Sequence, residues 1–261
     1  MKHFLYMTAA AALLALTQSA CSMFCGNERP EVIATYTATP IKLDGTLDDP
    51  AWQKTPAYTL VHSRNQWKNA HPEIRKFFRS GVAEPGKVRV LWDDQYLYVG
   101  MEFTDSDITA EGTEDQTPLF SKGDTAEVFL KPVNKTWYWE MYVTPKAQKT
   151  AYFFKGRGHH SLPSCFPEKP ALSGMKAAAK ADGTVNNPWD KDKKWTAVIA
   201  IPIGEVNKAG EKLSPEVPWL IFFGRYNYGR YLPRQENSAF PEQEYTNYHV
   251  YEEYARLKMV R

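Results

Sequence analysis

With 261 residues, of which 43% are hydrophobic and 14% aromatic, the chain can bury the core of one large domain or two small ones. Aromatics are then left for its surface, a surplus that suits a binder of flat, partly apolar ligands. A count of 32 Lys and Arg against 30 Asp and Glu gives a formal net charge of +2, which argues against a polyanion-binding surface and so against nucleic acid as a partner. The 18 Pro and 15 Gly interrupt the chain often, as short strands joined by turns require.

The chain opens with Lys2 and His3, an apolar run from Phe4 to Leu16, and then Thr17-Gln18-Ser19-Ala20-Cys21. That order of charged, apolar and small residues is a secretory signal, and the apolar run is too short for an ordinary membrane-spanning helix. Residues 1–20 therefore read as a signal peptide. Small residues directly before a Cys resemble a bacterial lipoprotein cleavage box with Cys21 as the lipid-carrying residue, although Gln18 stands where that pattern has Leu. The expected product is an exported envelope lipoprotein tethered to the membrane; the alternative is ordinary signal-peptidase cleavage and a soluble periplasmic protein. With Cys21 acylated, Cys25 and Cys165 are left as one possible disulfide pair, which an oxidising compartment permits and sequence cannot place. Three cysteines so scattered have no metal-ligand spacing.

Residues 21–31 read as a tether, and residues 32–261 as one folded domain. Lys87 to Thr104 (KVRVLWDDQYLYVGMEFT) holds two alternating apolar runs around Asp93-Asp94-Gln95, the pattern of a β-hairpin. TAEVFLK from Thr125, WYWEMYVT from Trp137 and WTAVIAIPI from Trp195 alternate likewise, and Leu220 to Tyr228 forms an apolar and aromatic strand. Helical periodicity is confined to His71 to Ser80, where Ile74, Phe77 and Phe78 share a face. Asn65 to Gly86, Phe154 to Asp192 and Tyr231 to Tyr245 read as long loops at the ends of the fold. Many short strands without alternating helices predict an all-β, jelly-roll-like β-sandwich with little helix.

The segments IKLDGTLDDPAW, KVRVLWDDQYLYVGMEFTDSDI, GDTAEVFLKP, WTAVIAIPI, FFGRYNYGR and NYHVYEEYARLKM, in that order, resemble the landmarks of the family 9 carbohydrate-binding modules, within the wider DOMON-like group of sandwiches. The resemblance runs over residues 32–261 and implies polysaccharide or oligosaccharide binding without catalysis. Many landmarks also have purely structural readings: Asp44-Gly45, Asp48 to Pro50 and Asp93-Asp94 are turn chemistry, and Trp52 is a core anchor.

Family 9 modules grip a terminal sugar between two aromatic rings, and the resemblance places these at Phe120, before Asp124-Thr125-Ala126-Glu127-Val128-Phe129, and at Tyr248 in Asn247-Tyr248-His249. Glu127 matches the family's acidic position; by strand alternation it points away from Ala126, Val128 and Leu130. Arg225 and Asn227, two apart on one strand, share a face, and Arg230 follows at its end. Their donors and acceptors suit neighbouring sugar hydroxyls, and equally a salt bridge or turn bond inside the sandwich. Some family members carry an Arg on the strand of Trp137 to Thr144, where this chain has Glu140.

Other chemistry leaves weaker marks. A glycoside hydrolase would use paired carboxylates, with Glu127, Glu140 and Asp124 as candidates, in an accessory or catalytic role in carbohydrate breakdown. A haem-binding redox sandwich would draw on Met101, Met141 or His249, yet both Met alternate with apolar residues as core does, and no Cys-x-x-Cys-His is present. His159-His160 reads as surface loop rather than metal site. Asp105 and Asp107, with a second cluster at Asp44, Asp48 and Asp49, are the oxygen-rich patterns that suit a structural calcium, the only cofactor expected.

Overall fold

The computed structural model describes residues 29–68, 70–157 and 172–261. Cys21, Cys25, His159, His160 and Cys165 lie outside them. Among the described residues, twelve strands run in chain order as β1 (Glu31–Tyr36), β2 (Tyr58–Thr59), β3 (Gly86–Trp92), β4 (Tyr96–Thr104), β5 (Thr125–Pro132), β6 (Tyr138–Val143), β7 (Lys149–Phe154), β8 (Lys176–Asp182), β9 (Lys194–Pro202), β10 (Trp219–Asn227), β11 (Glu236–Phe240) and β12 (Ala255–Val260). Helix α1 (Pro72–Arg79) falls where the periodicity places it, and a single turn, α2 (Ile203–Asn207), follows β9.

Hydrogen bonds join the strands in the order β7-β6-β5-β10-β12-β1-β3-β4-β9-β8, with β11 added on β10 and β2 on β3. Strand β1 pairs parallel with both β12 and β3, and every other pairing is antiparallel. The sheet folds over on itself. Val128, Met141 and Phe223 from one half and Val99, Met101 and Ile199 from the other meet in one buried cluster, so the two halves face each other as a sandwich. Met101 and Met141, the residues a haem would need, are core side chains with 1% and 0% exposure.

The outer faces of the sandwich are covered as well. On the β3-β4-β9 half, the segment between β1 and β2 lays Ile41 and Trp52 over Leu91, Tyr98 and Val198. Trp52 is fully buried there. Its ring fits because β4 presents Gly100 beneath it: a Cβ at that position would lie 2.8 Å from Trp52 and 2.7 Å from Leu47. The hairpin between β3 and β4 closes as its sequence requires, with Asp93 Oδ1 accepting from the amides of Gln95 and Tyr96, both at 2.7 Å.

Two strands stand where loops are expected from sequence. The loop reading of Phe154 to Asp192 contains β8, an edge strand with the sequence KAAAKAD, and that of Tyr231 to Tyr245 contains β11. Neither has the β-branched, alternating signature of a strand. Both form through pairing, β8 with β9 over seven residues and β11 with β10 over five.

Candidate functional site

The outer face of the other half, built on β5, β6, β7 and β10, differs from the first in chemistry. Strand register fixes what it presents. Glu127 on β5 lies opposite Gly224 on β10 and Tyr142 on β6, while Glu140 on β6 lies opposite Phe129 on β5 and Tyr152 on β7. Residues directly opposite in a ladder share a face, so two carboxyl groups stand diagonally adjacent on one surface, amid Phe129, Tyr138, Tyr142, Tyr152, Phe154 and Phe222. The final segment before β12 folds over this surface and contributes Tyr248, His249 and Tyr254.

Phe120 and Tyr226 form the half-buried rim, with ring centroids 5.9 Å apart. Phe120 also packs edge-on to Tyr142, and Tyr226 edge-on to Tyr248. The Phe120 backbone is held by the Tyr228 hydroxyl, which donates to its carbonyl at 2.8 Å. His249 touches the rings of Phe129, Tyr138 and Phe154, and its Nδ1 is 2.8 Å from the Tyr138 hydroxyl.

Glu127 and Glu140 are 1% and 3% exposed. The Tyr142 hydroxyl donates to Glu140 Oε1, and Glu127 looks toward the same phenol. Among the described residues, Glu127 Oε1 and Glu140 Oε2 have no hydrogen-bond partner. Burial pushes the Glu127 carboxyl well above its ordinary range, and the charge of Glu140 pushes it further. Glu140 is raised from 4.5 to about 8, also by burial. Buried polar groups are normally satisfied, and the pair shares this departure with Trp52 Nε1 and Arg225 Nε elsewhere in the fold.

The residues singled out in the sequence divide between this face and the interior. Phe120, Glu127 and Tyr248 come together on the outer face. Tyr248, however, is not an open platform: it is 5% exposed, its hydroxyl lies 3.0 Å from the carbonyls of both Arg225 and Ser238, and its ring rests on Gly224, where a Cβ would come within 2.5 Å. Arg225 and Asn227 share a face, as alternation requires, but it is the opposite one from Glu127, because Gly224 and not Arg225 pairs with Glu127. Of the two readings that the sequence leaves open for this pair, sugar hydroxyls or a bond inside the sandwich, the structure shows the bonds inside the sandwich and not a place on the face of Glu127. Tyr226, which the sequence reading passed over, takes the rim position instead; its signal was the alternation of Phe222, Gly224 and Tyr226 along β10.

Arg225 is fully buried and joins a polar network inside one end of the sandwich. It donates to the carbonyls of Glu84 at 2.8 Å and Thr104 at 3.0 Å, to Asp105 Oδ2 at 3.0 Å and to Asn227 Oδ1 at 3.0 Å. Asn227 in turn donates to Glu84 Oε2 at 2.7 Å. Asp105 also accepts from the Trp195 indole at 3.1 Å, and burial raises its carboxyl to about 6, against the pull of Arg225. Asp107 pairs with Arg230 at 3.1 Å and accepts its backbone amide at 2.7 Å. Arg230 further donates to the carbonyls of Asn187 and Asp190, so it braces the loop at that end rather than reaching the aromatic face. Asp105 and Asp107, the carboxylates considered for calcium, thus each face a guanidinium group. Among the described residues no group of three or more His, Cys, Asp or Glu is placed to hold a metal.

The chain is thus a β-sandwich whose outer face on β5, β6, β7 and β10 carries an aromatic cluster with two buried acids. The chain resembles the family 9 carbohydrate-binding modules: residues 43–161 match the model of the family described as Carbohydrate family 9 binding domain-like. Among solved structures, a Bacteroides uniformis ATCC 8492 protein assigned provisionally to carbohydrate binding superposes with a TM-score of 0.65 at 9% identity, over 88% of this chain and 99% of that one. A family 9 carbohydrate-binding module from Caldicellulosiruptor kristjanssonii superposes over 88% of this chain at 14% identity. Its glucose complex gives a TM-score of 0.53 over 95% of that chain, and its cellotriose complex 0.50 over 93%. At such identities the likenesses establish the fold. No curated protein matches the chain significantly.

The buried acids make stability depend on pH in a defined direction. Because the folded state keeps a proton on Glu140 that the unfolded chain releases above about 4.5, the stability of the protonated pair is complete below that pH and is lost as pH rises toward about 8. Glu140→Gln, which carries no titrating proton, is expected to flatten this dependence and to melt higher than the wild type at about pH 8. Melting curves taken between about pH 5 and about pH 8 check it; parallel profiles for the two proteins would show that Glu140 is not held protonated by the fold.

Proposed function

We propose that this chain binds carbohydrate on the outer face of β5, β6 and β10 and catalyses no reaction itself. The observation that carries the reading is the aromatic face itself, where the half-buried rings of Phe120 and Tyr226, 5.9 Å apart, rim a cluster of aromatic side chains. A pyranose offers apolar C–H faces and a rim of hydroxyl donors, and it needs both an aromatic surface and acceptors at the edge. Phe120 and Tyr226 supply the partly exposed rings, and the acids Glu127 and Glu140 lie on the same face. The match to the family model and the likeness to modules solved with glucose and cellotriose support the same class of ligand.

The disposition of the acids speaks for holding rather than cleaving. A glycosidase places its two carboxyl groups on either side of the scissile bond, at a separation fixed by the need for a nucleophile or a water. Here Glu127 and Glu140 rise side by side from adjacent strands of one sheet and converge on a single phenol, so both would meet a ligand from the same side.

A glycan array followed by calorimetry on the purified chain tests the reading. Glucose-type oligosaccharides, or another glycan from the array, are expected to bind, and Phe120→Ala and Tyr226→Ala to weaken binding by about 1–2 kcal/mol each. Glu127→Ala is expected to weaken it by a similar amount, about 1–3 kcal/mol, since it removes the polar group from beneath the aromatic face. Silence across the array, or three variants that bind like the wild type, would remove the reading. Sugar release abolished by Glu127→Gln would move the protein to the hydrolases.

The small-residue run that ends at Cys21 supports a place at the bacterial cell envelope, with the domain held to the membrane through a lipid on that cysteine. Labelled fatty acid should be incorporated by the wild type and not by Cys21→Ser, and only the wild type should sediment with membranes. Equal release of both forms would instead fit a soluble exported protein.

A further inference from the structure

Resting on the carbohydrate reading, we propose that Trp189, with Tyr231 beside it, is a second saccharide-contacting platform at the end of the sandwich, and that it takes part when the ligand is a long glycan. Trp189 is 91% exposed and Tyr231 51%, on the loops that precede β9 and follow β10. Every other Trp of the chain is buried or half-buried. An indole left in water contributes nothing to the core, so packing does not explain its place.

The loop that carries the indole is firmly built. Asp192 accepts from the amides of Thr184 and Ile108, both at 2.7 Å, and the side chain of Asn186 makes two hydrogen bonds with the backbone of Ala110, at 2.7 and 2.8 Å. Closer to the ring, Asn187 Oδ1 accepts from the Trp189 amide at 3.2 Å, and the Asp190 carboxylate accepts from the Thr184 hydroxyl. Arg230 joins the second loop to the first through the carbonyls of Asn187 and Asp190. The Tyr231 hydroxyl donates to the same Asp190 carbonyl at 3.4 Å, which bonds it to the residue next to Trp189. Rings presented by ordered backbone bind without the cost of ordering it first.

The surrounding chemistry selects the occupant. From Gly183 to Lys193 the loop sets Asp190 and Asp192 against Lys191 and Lys193. On the second loop Arg230 is paired with Asp107, and Arg234 lies over Phe78. The patch therefore presents no concentrated positive charge to draw an anionic membrane or a nucleic acid. A protein partner requires a contiguous apolar core, whereas among the described residues the other exposed large hydrophobic side chains, Val61, Val133 and Tyr245, belong to other segments. A flat indole edged by the donors and acceptors of Asn187 and Lys191 matches the apolar face and hydroxyl rim of a neutral pyranose. The platform is also joined to the aromatic face. Asn186 binds Ala110, Ala110 bridges to Gly123, and Phe120, a little earlier in that segment, has its carbonyl held by Tyr228 of the second loop. A long glycan that contacts both platforms gains from their linkage, a gain that a short oligosaccharide lacks.

Affinity electrophoresis of the full chain in native gels holding hydroxyethylcellulose, xylan or mannan tests this, with iodide quenching of tryptophan fluorescence as a second measurement. At least one polymer is expected to retard the wild type, and Trp189→Ala to weaken that binding about three- to tenfold with an unchanged melting temperature. Trp189→Phe, which keeps a ring, should lose less. The bound polymer should also shield wild-type emission from iodide, and this shielding should vanish in Trp189→Ala. Retardation of Trp189→Ala equal to the wild type, with Phe120→Ala impaired, would overturn the inference and leave the carbohydrate reading standing. Retardation by none of the polymers would overturn it too, and the glycan array would then decide the carbohydrate reading by itself. Sedimentation with phosphatidylglycerol vesicles that Trp189→Ala abolishes, with retardation unaffected, would assign the patch to a lipid surface instead.

Discussion

The placement of two carboxyl groups on the covered outer face of a β-sheet is the constraint from which the character of this domain follows. Strand β5 is buried on both sides along its whole length, as is β6, and on one side that burial is ordinary hydrophobic packing between the two halves of the sandwich. On the other side the same burial encloses Glu127 and Glu140. Desolvating a carboxylate is unfavourable by several kcal/mol or more, so the fold tolerates the pair only by keeping protons on it and by directing the Tyr142 hydroxyl toward it. A face used merely to complete the core would carry leucine or phenylalanine there, as the opposite outer face carries Trp52, Tyr98 and Val198.

The two polar clusters of the molecule differ in how many of their groups find partners within the chain. Around Arg225, nearly every donor and acceptor is matched within the chain, and the network ties β10 to the turns after β4 and before β3. That closure is what a buried ion pair requires if it is not to destabilise the fold. Around Glu127 the accounting is left open at two oxygens. The first cluster sets the shape of the sandwich end, and the second lies buried within the aromatic cluster of the outer face.

Much of this was legible in the sequence. The hairpin at Asp93, the core role of Trp52 and the outward direction of Glu127 each follow from local pattern, because turns, Trp burial and strand alternation are set by neighbouring residues. Which face Arg225 and Asn227 occupy was not legible, since it depends on the register between β5 and β10, and a register with Gly224 opposite Glu127 turns Arg225 inward. Tyr248 matched a family landmark, yet whether its ring is open or stacked on Gly224 depends on how the last segment returns across β10. Strands β8 and β11 escaped notice because pairing with β9 and β10, rather than their own residues, makes them strands. The adjacency of Glu140 to Glu127 is likewise a product of the β5–β6 register.

The central claim is one of place: a saccharide held on the aromatic outer face, against the two acids. A crystal structure of the chain soaked with an oligosaccharide that it binds in solution addresses this most directly. The account predicts sugar density over β5, β6 and β10, with a ring face on Phe120 or Tyr226 and the sugar's hydroxyl groups turned toward the side of the face that holds Glu127 and Glu140. Density seated instead in the cleft between Asp48, Arg89 and Lys180 on the opposite face, with Glu127 and Glu140 untouched, would contradict it.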